Sequence, residues 1–212
     1  MHLKHPWAFE RGALWAMDFT DRDRSGAEGA SVAAVSPQAT ANFAEVHRDD
    51  VERLAAAIGY ADPALVLKRF DGSRRCFAGW LDGTIATYGW VSWGVECIGE
   101  LERPIRLSRD EAYIWDCATL PPFRRRGLYS ALLCHIAATV RDEGTHRLWI
   151  GASLQNQPSI RGFATAGFQP VITLTYVRLF HVVHLWIRDE RAASPTLIGI
   201  ARRALGASAR EH

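Results

Sequence analysis

The residues best suited to binding or catalysis lie between Ala112 and Phe168. An apolar run ends at Thr119-Leu120, two prolines follow, and three consecutive arginines then precede Gly127. A bend of this kind opens a helix, whose first N–H groups lack partners and whose end carries a partial positive charge. Glycine lets the backbone come close to a ligand, and arginines add charge-assisted donors. The pattern therefore predicts a phosphate-binding turn containing Arg124, Arg125 and Arg126.

The segments before and after this turn predict the strands and the helix that position it. Residues 112–119 form an apolar strand, and the run from Leu128 to Val140 places apolar residues on one helical stripe. Residues 147–152 form a second buried strand after Gly144. Strand, helix and strand in this order predict a right-handed crossover between two parallel strands.

The N-terminal part predicts a mixture of elements. Residues 13–19 indicate a short strand, and Ser36-Pro37 indicates the start of a helix. Asp62-Pro63 indicates the start of another helix, and Asp82-Gly83 predicts a tight hairpin joining residues 76–81 to 84–91. Residues 93–110 are charged and indicate a longer hairpin. One or two helices are expected over the apolar residues Phe43, Val46, Val51, Leu54 and Ile58.

The C-terminal part predicts a short helix over residues 156–166, strands after Phe168, and a final helix from Ser194 to Leu205. The longest apolar stretch, Val171 to Ile187, is rich in β-branched residues and interrupted by polar ones. It therefore favours two strands over a membrane helix.

Composition limits the classes of function. The chain has 212 residues, 48% hydrophobic and 23% charged, with a net charge of +2, which indicates a globular protein and argues against wholesale nucleic-acid binding. The four cysteines form no C-x-x-C pair, so no metal site is expected. We expect them to be buried, reduced thiols. Charges break up the N-terminal segment, which argues against a signal peptide. We expect a cytoplasmic protein without membrane contact.

Four features occur in an order that resembles the GNAT superfamily of N-acetyltransferases. They are the strand, the turn Arg124-Arg-Arg-Gly-Leu-Tyr129, Asn156 with Ser159 three residues on, and Gly167-Phe168. The resemblance covers roughly residues 76–179. It implies an α/β fold of the α+β kind, with a mixed, splayed central sheet flanked by helices. It further implies one domain over 1–190, with a divergent part at 1–74 and a core at 75–180, before a helical tail at 191–212.

The resemblance also implies a co-substrate, acetyl-CoA, and no metal. In such proteins two parallel strands separate at their C-terminal ends, and the pantetheine arm lies in the gap. The residues then expected to contact acetyl-CoA are Thr119, Leu120, Arg124, Arg125, Arg126, Gly127, Leu128, Tyr129, Ser130, Asn156, Ser159 and Phe163. Tyr129 departs from the pattern, which has a small residue there, and its side chain is expected to point away from the ligand.

The catalytic residues implied are Asp116, Tyr113 and Leu120. The backbone N–H near Leu120 is expected to stabilise the oxyanion. Asp116 interrupts an apolar strand, where desolvation favours a general base; the alternative is a carboxylate bonded to the backbone or to an arginine. Tyr113 aligns with the strand glutamate that serves as base in some relatives. Phe163 stands where many relatives have the tyrosine that protonates the leaving thiolate.

The function implied is transfer of an acetyl group from acetyl-CoA to an amine of a small molecule, by a monomer or homodimer. The alternatives are a non-catalytic CoA-binding module and acyl transfer from a carrier-protein thioester. Within residues 93–110, the carboxylates either select a cationic amine or belong to a solvated hairpin. Tryptophans could wall the acceptor site or belong to the core. The residues concerned are Glu96, Glu100, Glu102, Trp90, Trp93 and Trp115.

Overall fold

The structure, a computed structural model, describes residues 7–20, 41–70, 72–98, 103–179 and 182–206 of the chain. Its strands are β1 (Trp7–Asp18), β2 (Asn42–Val46), β3 (Arg74–Leu81), β4 (Thr84–Trp93), β5 (Val95–Ile98), β6 (Arg103–Arg106), β7 (Glu111–Thr119), β8 (Arg147–Ser153), β9 (Gln169–Leu179) and β10 (Val182–Asp189). Its α-helices are α1 (Val51–Ile58), α2 (Pro63–Leu67), α3 (Leu128–Asp142), α4 (Gln157–Ala166) and α5 (Pro195–Ala204). Short 3₁₀ turns lie at Arg48–Asp50, Lys68–Phe70 and Pro121–Phe123.

Eight strands form one mixed sheet in the order β10-β9-β1-β8-β7-β4-β3-β2, and β5 pairs with β6 in a separate hairpin. The β7–β8 pair is parallel and follows the crossover through α3, as the sequence predicted. The other pairs in the sheet are antiparallel. Helices cover the sheet, so the expected mixed fold is confirmed.

Strand β1 is longer than expected and lies inside the sheet. It pairs with β8 from Gly12 opposite Ser153 to Asp18 opposite Arg147, and with β9 along its other edge. The sequence had indicated only a short strand over 13–19. Because β1 joins β8 to β9, the N-terminal segment holds the two C-terminal strands in the same sheet as the crossover.

The two faces of the sheet bury different helices. On one face, the stripe of α3 packs against β7 and β8, with Ile136 and Val140 fully buried beside Ile114 and Ile150. On the other face, α1 and α2 cover the β2–β4 end, and α5 covers β9. The face carrying α3 and α4 is called the α3 face below, and the other the α5 face. The domain boundary expected at residue 190 stays a prediction.

Several local signals have the structure that the sequence indicated. Asp62 accepts a hydrogen bond from the N–H of Ala64 (2.9 Å) and begins α2. Asp82 (φ 48°) and Gly83 (φ 75°) form the tight turn between β3 and β4. Ser194 caps α5 through the N–H of Leu197 (3.2 Å).

One expectation is wrong: Phe43 and Val46 are not helical. They belong to β2, which pairs with β3 from Asn42 opposite Trp80 to Val46 opposite Cys76. Phe43 and Val46 are three positions apart, a spacing that fits one face of a helix. An edge strand with one buried residue allows the same spacing. The expected helix start at Ser36-Pro37 lies outside the described residues.

Buried charges tie the start of the crossover to β1. Arg147, 8% exposed, bonds to Asp18 (2.8 Å) and to the buried Glu111 (2.6 Å). The cysteines are free thiols; Cys76 and Cys134 are buried, whereas Cys97 is exposed, contrary to expectation. Among the described residues, no cluster of metal-ligating side chains occurs and no helix is long and apolar enough to span a membrane.

Candidate active site

Strands β7 and β8 separate at their C-terminal ends. Their parallel pairing runs from Glu111 opposite Arg147 to Ile114 opposite Ile150. Within the described strands no further β7–β8 pair follows, although β7 continues to Thr119 and β8 to residue 153. The expected gap between the two strands is therefore present, and it opens at the end that leads into the arginine-rich turn.

A bulge in β7 lies beside this gap. Trp90 of β4 pairs with Trp115 and Tyr88 pairs with Ala118, so Gly89 faces two residues of β7, Asp116 and Cys117. Asp116 takes a left-handed backbone conformation with φ 43°. Such a bulge re-aims the strand and its side chains next to the unpaired segment.

The backbone groups that face the gap belong to Thr119, whereas the N–H of Leu120, near which the oxyanion donor is expected, is bonded within the sheet. The N–H of Leu120 donates to the carbonyl oxygen of Ala86 in β4 (2.9 Å). Backbone groups of successive strand residues point to opposite edges, so Thr119 directs its N–H and C=O away from β4, towards β8. The exposed edge of β7 in the gap therefore offers the Thr119 N–H as a donor.

The turn that follows β7 leads into helix α3, whose N-terminus is not capped by any described side chain. Gly127 is the N-cap of α3 with φ 76°, and no side chain of the described residues caps it. In contrast, side chains cap α2, α4 and α5. The first N–H groups of α3 are thus left to an external acceptor, as a phosphate site requires.

The three arginines of the turn are exposed. Arg124 donates through Nε to the carbonyl oxygen of Thr119 (3.1 Å), which links the turn to the end of β7. Arg126 lies over the ring of Phe123, 5.8 Å from its centroid, and Arg125 has a left-handed φ of 64°. Their guanidinium groups stand at the positively charged helix end, and their contacts with acetyl-CoA stay a prediction.

Tyr129 points towards α4. Its ring stacks on Phe163 with 6.3 Å between centroids and lies against Gly162, while its hydroxyl bonds to Ser159. Burial raises the pKa of Tyr129, so its hydroxyl stays protonated. The bulky residue at this position is accommodated because the facing helix has a glycine.

The expected ligand residues on α4 serve the protein's own packing. Phe163 is 1% exposed and contacts Trp15 and Phe168, so its side chain packs in the core, and its contact with acetyl-CoA stays a prediction. Asn156 caps α4 by accepting from the N–H of Ser159 (3.3 Å). The remaining side chains, of Leu128 and Ser130, are buried as well, so only their backbone N–H groups are available to an anion.

Asp116 is paired with an arginine, the alternative that the sequence left open. Its Oδ2 accepts from Arg69 Nη1, and Tyr88 Oη lies 3.5 Å from its Oδ1. Arg69 in turn lies over the rings of Trp90 (5.7 Å), Trp115 (5.3 Å) and Tyr60 (5.2 Å). Arg69 escaped the sequence analysis because it is 47 residues from Asp116 and meets it only through the bulge.

Three other side chains that could take part in catalysis, those of Glu111, His135 and Cys117, are bonded, packed or disfavoured as a nucleophile. Glu111 is 2% exposed and ion-paired to Arg147. His135 stacks on Phe43, and burial lowers its pKa. Burial and then the charge of Asp116 raise the pKa of the Cys117 thiol, which disfavours the thiolate.

The acidic hairpin does not supply an acceptor site in the described residues. Glu96 is 5% exposed and accepts two hydrogen bonds from Arg74, at 2.8 and 2.9 Å. Glu100 and Glu102 lie outside the described residues. Trp90 is fully buried, and Trp93 packs on the α3 face. Trp115 packs on the α5 face, against the buried residues around α5 and those around α1 and α2. Trp90 therefore belongs to the core, whereas Trp93 and Trp115 are partly buried and pack against it.

A pocket lies beside the gap, on the α5 face. It opens to solvent. The sequence pointed to Tyr113, which lines it, but not to β1, whose neighbours in the sheet are at least 129 residues away. Its lining includes residues 10–14, Gly151, Ser153, Ile98 and Leu174.

Comparison with known proteins identifies the family of this arrangement. The model of the acetyltransferase (GNAT) family matches residues 40–168, more than half of the chain. A search of curated proteins returned no match. A putative GNAT-family acetyltransferase from Novosphingobium aromaticivorans superposes with a TM-score of 0.51 at 16% identity, covering 90% of this chain and 70% of that one. The ribosomal-protein-S18-alanine N-acetyltransferase from Escherichia coli gives 0.50 at 14% identity, covering 73% and 100%.

Proposed function

The chain belongs to the GNAT acetyltransferase family, and from that premise we propose that it transfers an acetyl group from acetyl-CoA to an amine of a small molecule. The observation that carries the proposal is the gap between β7 and β8, with the Thr119 backbone on its edge and the uncapped end of α3 beyond it. A thioester with a phosphate-bearing tail requires these two features at adjoining positions.

The pyrophosphate is assigned to the first turn of α3. Backbone N–H groups of residues 128–130 would bind its oxygens, and Arg124 to Arg126 would add charge-assisted contacts, each contributing roughly 1.5–3 kcal/mol. The pantetheine arm would follow the free edge of β7 in the gap. Its thioester carbonyl would then lie at the Thr119 N–H, a short way along β7 from the bulge at Asp116.

The reaction needs one bond formed and one broken. The amine nitrogen attacks the thioester carbon, the Thr119 N–H stabilises the oxyanion, and collapse expels the CoA thiolate while the amine proton passes to a base. Asp116 is the proposed base, because its carboxylate stands at the bulge. Tyr113 is the proposed positioning residue, because it lines the pocket beside the gap.

The leaving thiolate lacks the tyrosine that many relatives provide, since Phe163 has no proton to give. The proposal is that solvent protonates the thiolate. General-acid help is worth about 10²–10⁴-fold, so turnover is expected to be slow relative to enzymes that have this group.

A non-catalytic CoA-binding module is the second candidate, favoured by Phe163 in the core and by the ion pair that holds Asp116. Release of free thiol from acetyl-CoA, recorded with a panel of amines, separates the two. Amine-dependent thiol release that Asp116→Asn reduces supports the transferase. Micromolar acetyl-CoA binding by calorimetry, without release for any amine, supports the binding module.

A further inference from the structure

The pocket beside the gap lies where the neighbouring strands β1 and β8 each have a glycine on the same face. In the β1–β8 pair, Gly12 stands opposite Ser153 and Leu14 opposite Gly151. Side chains alternate along a strand, so Gly12, Leu14 and Gly151 share the α5 face. Gly12 and Gly151 therefore leave a depression in the sheet, which we call the glycine floor.

The walls around the glycine floor are apolar. Leu14, Tyr113, Leu174 and Ile98 line the pocket, and each is less than 9% exposed. Ile98 comes from the β5–β6 hairpin, which covers this part of the sheet. Such a surface favours an aliphatic or aromatic group over a polar one.

Two charged residues, Glu10 and Arg11, line the pocket. Glu10 is exposed, lines the pocket and shares the face of Gly12, two residues along β1. Arg11 lines the pocket too, but alternation directs its side chain to the α3 face, where the sheet separates it from the mouth. A carboxylate at the mouth attracts cations from solution.

The pocket adjoins the proposed site of the thioester. Gly151 is the first residue of β8 after the last pair with β7, and Tyr113 is one residue before the end of that pairing. An acyl group would reach the pocket through the gap, whereas an acceptor must enter from solvent. The pocket is open to solvent and its lining includes the exposed Glu10, which favours the acceptor.

We infer that the glycine floor binds the apolar group of the acceptor, and that the acceptor is a primary amine with an aliphatic or aromatic substituent. The role as acceptor rests on the proposed function; the binding itself does not. Glu10 raises the local concentration of the ammonium form, and the substituent over the floor holds the amine beside the gap. Strand β1, which lies outside the residues matched by the family model, thus sets acceptor preference in this chain.

Calorimetry with 2-phenylethylamine and ethanolamine tests the inference on the full chain. We expect 2-phenylethylamine to bind at least about 10-fold more tightly, the range that burying an apolar group gives. Gly151→Val fills the pocket, and a Cβ there meets only ordinary contacts, with Ala13 O and Tyr113 Oη both at 3.5 Å. This variant should lose the preference while acetyl-CoA affinity and the melting temperature stay unchanged, and Gly151→Ala should lie between.

Equal affinity for the two amines, or a preference that survives Gly151→Val, overturns the inference. Thiol release, measured on the same variants, distinguishes a failure of the acceptor proposal from a failure of the transferase proposal. Acetyl transfer without preference for apolar amines refutes the acceptor class and leaves the transferase standing. A preference that Gly151→Val removes, with no transfer to any amine, refutes the transferase and leaves the binding site standing.

Discussion

The ring of Tyr129 lies so close to Gly162 that a Cβ on that glycine would stand 2.5 Å from Tyr129 Cδ1. This contact joins the first turn of α3, the proposed phosphate site, to the middle of α4. A glycine inside a helix costs about 0.5–1 kcal/mol relative to alanine, so its presence in α4 needs a reason. The reason is the space that the tyrosine ring occupies.

We therefore predict that Gly162→Ala destabilises the protein. The added methyl group collides with the ring, and overpacking of this kind costs typically about 1–3 kcal/mol, which exceeds the gain in helix propensity. Chemical denaturation of the wild type and the variant measures the difference.

A double-mutant cycle supplies the control. In a Tyr129→Ala background, Gly162→Ala should become neutral or stabilising, because only helix propensity remains. Gly199→Ala in α5, where a Cβ meets nothing within 4 Å, should stabilise the wild type by up to about 1 kcal/mol. An unchanged cost of Gly162→Ala in both backgrounds would contradict the packing account.

The second prediction concerns the arginine-rich turn. Arg124→Gln should weaken acetyl-CoA binding by roughly 10- to 100-fold, because a charge-assisted contact of about 1.5–3 kcal/mol is lost. The loss should shrink at high salt. Calorimetry measures both, with Arg53→Gln, an exposed arginine on α1, as the charge-matched control. Equal effects of the two substitutions would argue against a phosphate site at the turn.

The sequence predicted the crossover and the turn because their signals are local. Gly127, the capping residues and Asp82-Gly83 each fix a backbone conformation within a few residues. The gap between β7 and β8 was expected through the family resemblance, and the register of those strands bears it out.

What the sequence missed depends on long-range register. Leu120 was preferred to Thr119 as donor because the alternation of backbone groups becomes known only from the pairing with β4. The partner of Asp116 and the place of β1 likewise depend on contacts between distant segments. The strand at Phe43 was taken for a helix because its apolar spacing fits both structures.

The third prediction tests Asp116 as the base. Asp116→Asn should lower kcat by about 10²–10⁴-fold, the range of general-base catalysis. Asparagine keeps the size of the side chain and tolerates the left-handed backbone at this position, φ 43°. Asp49→Asn, an exposed carboxylate in a 3₁₀ turn, is the control. If Asp116→Asn lowers the melting temperature but leaves kcat intact, the carboxylate only anchors Arg69.

The fourth prediction follows from His135, whose pKa burial lowers below its usual 6.5. Below that pH the unfolded chain binds a proton at this position that the folded protein resists, so stability is lost as the pH falls. His135→Phe keeps the ring beside Phe43 and should lose less unfolding free energy between pH 7.5 and 5.5 than the wild type. Denaturation at the two pH values measures this, and identical slopes would contradict it.

A crystal structure of the protein with acetyl-CoA would show directly where the thioester lies. We expect the thioester arm between β7 and β8, its carbonyl oxygen within hydrogen-bond distance of the Thr119 N–H, and the pyrophosphate at the first turn of α3. Acetyl-CoA bound elsewhere, or a gap closed by pairing of β7 with β8 up to Thr119, would contradict it.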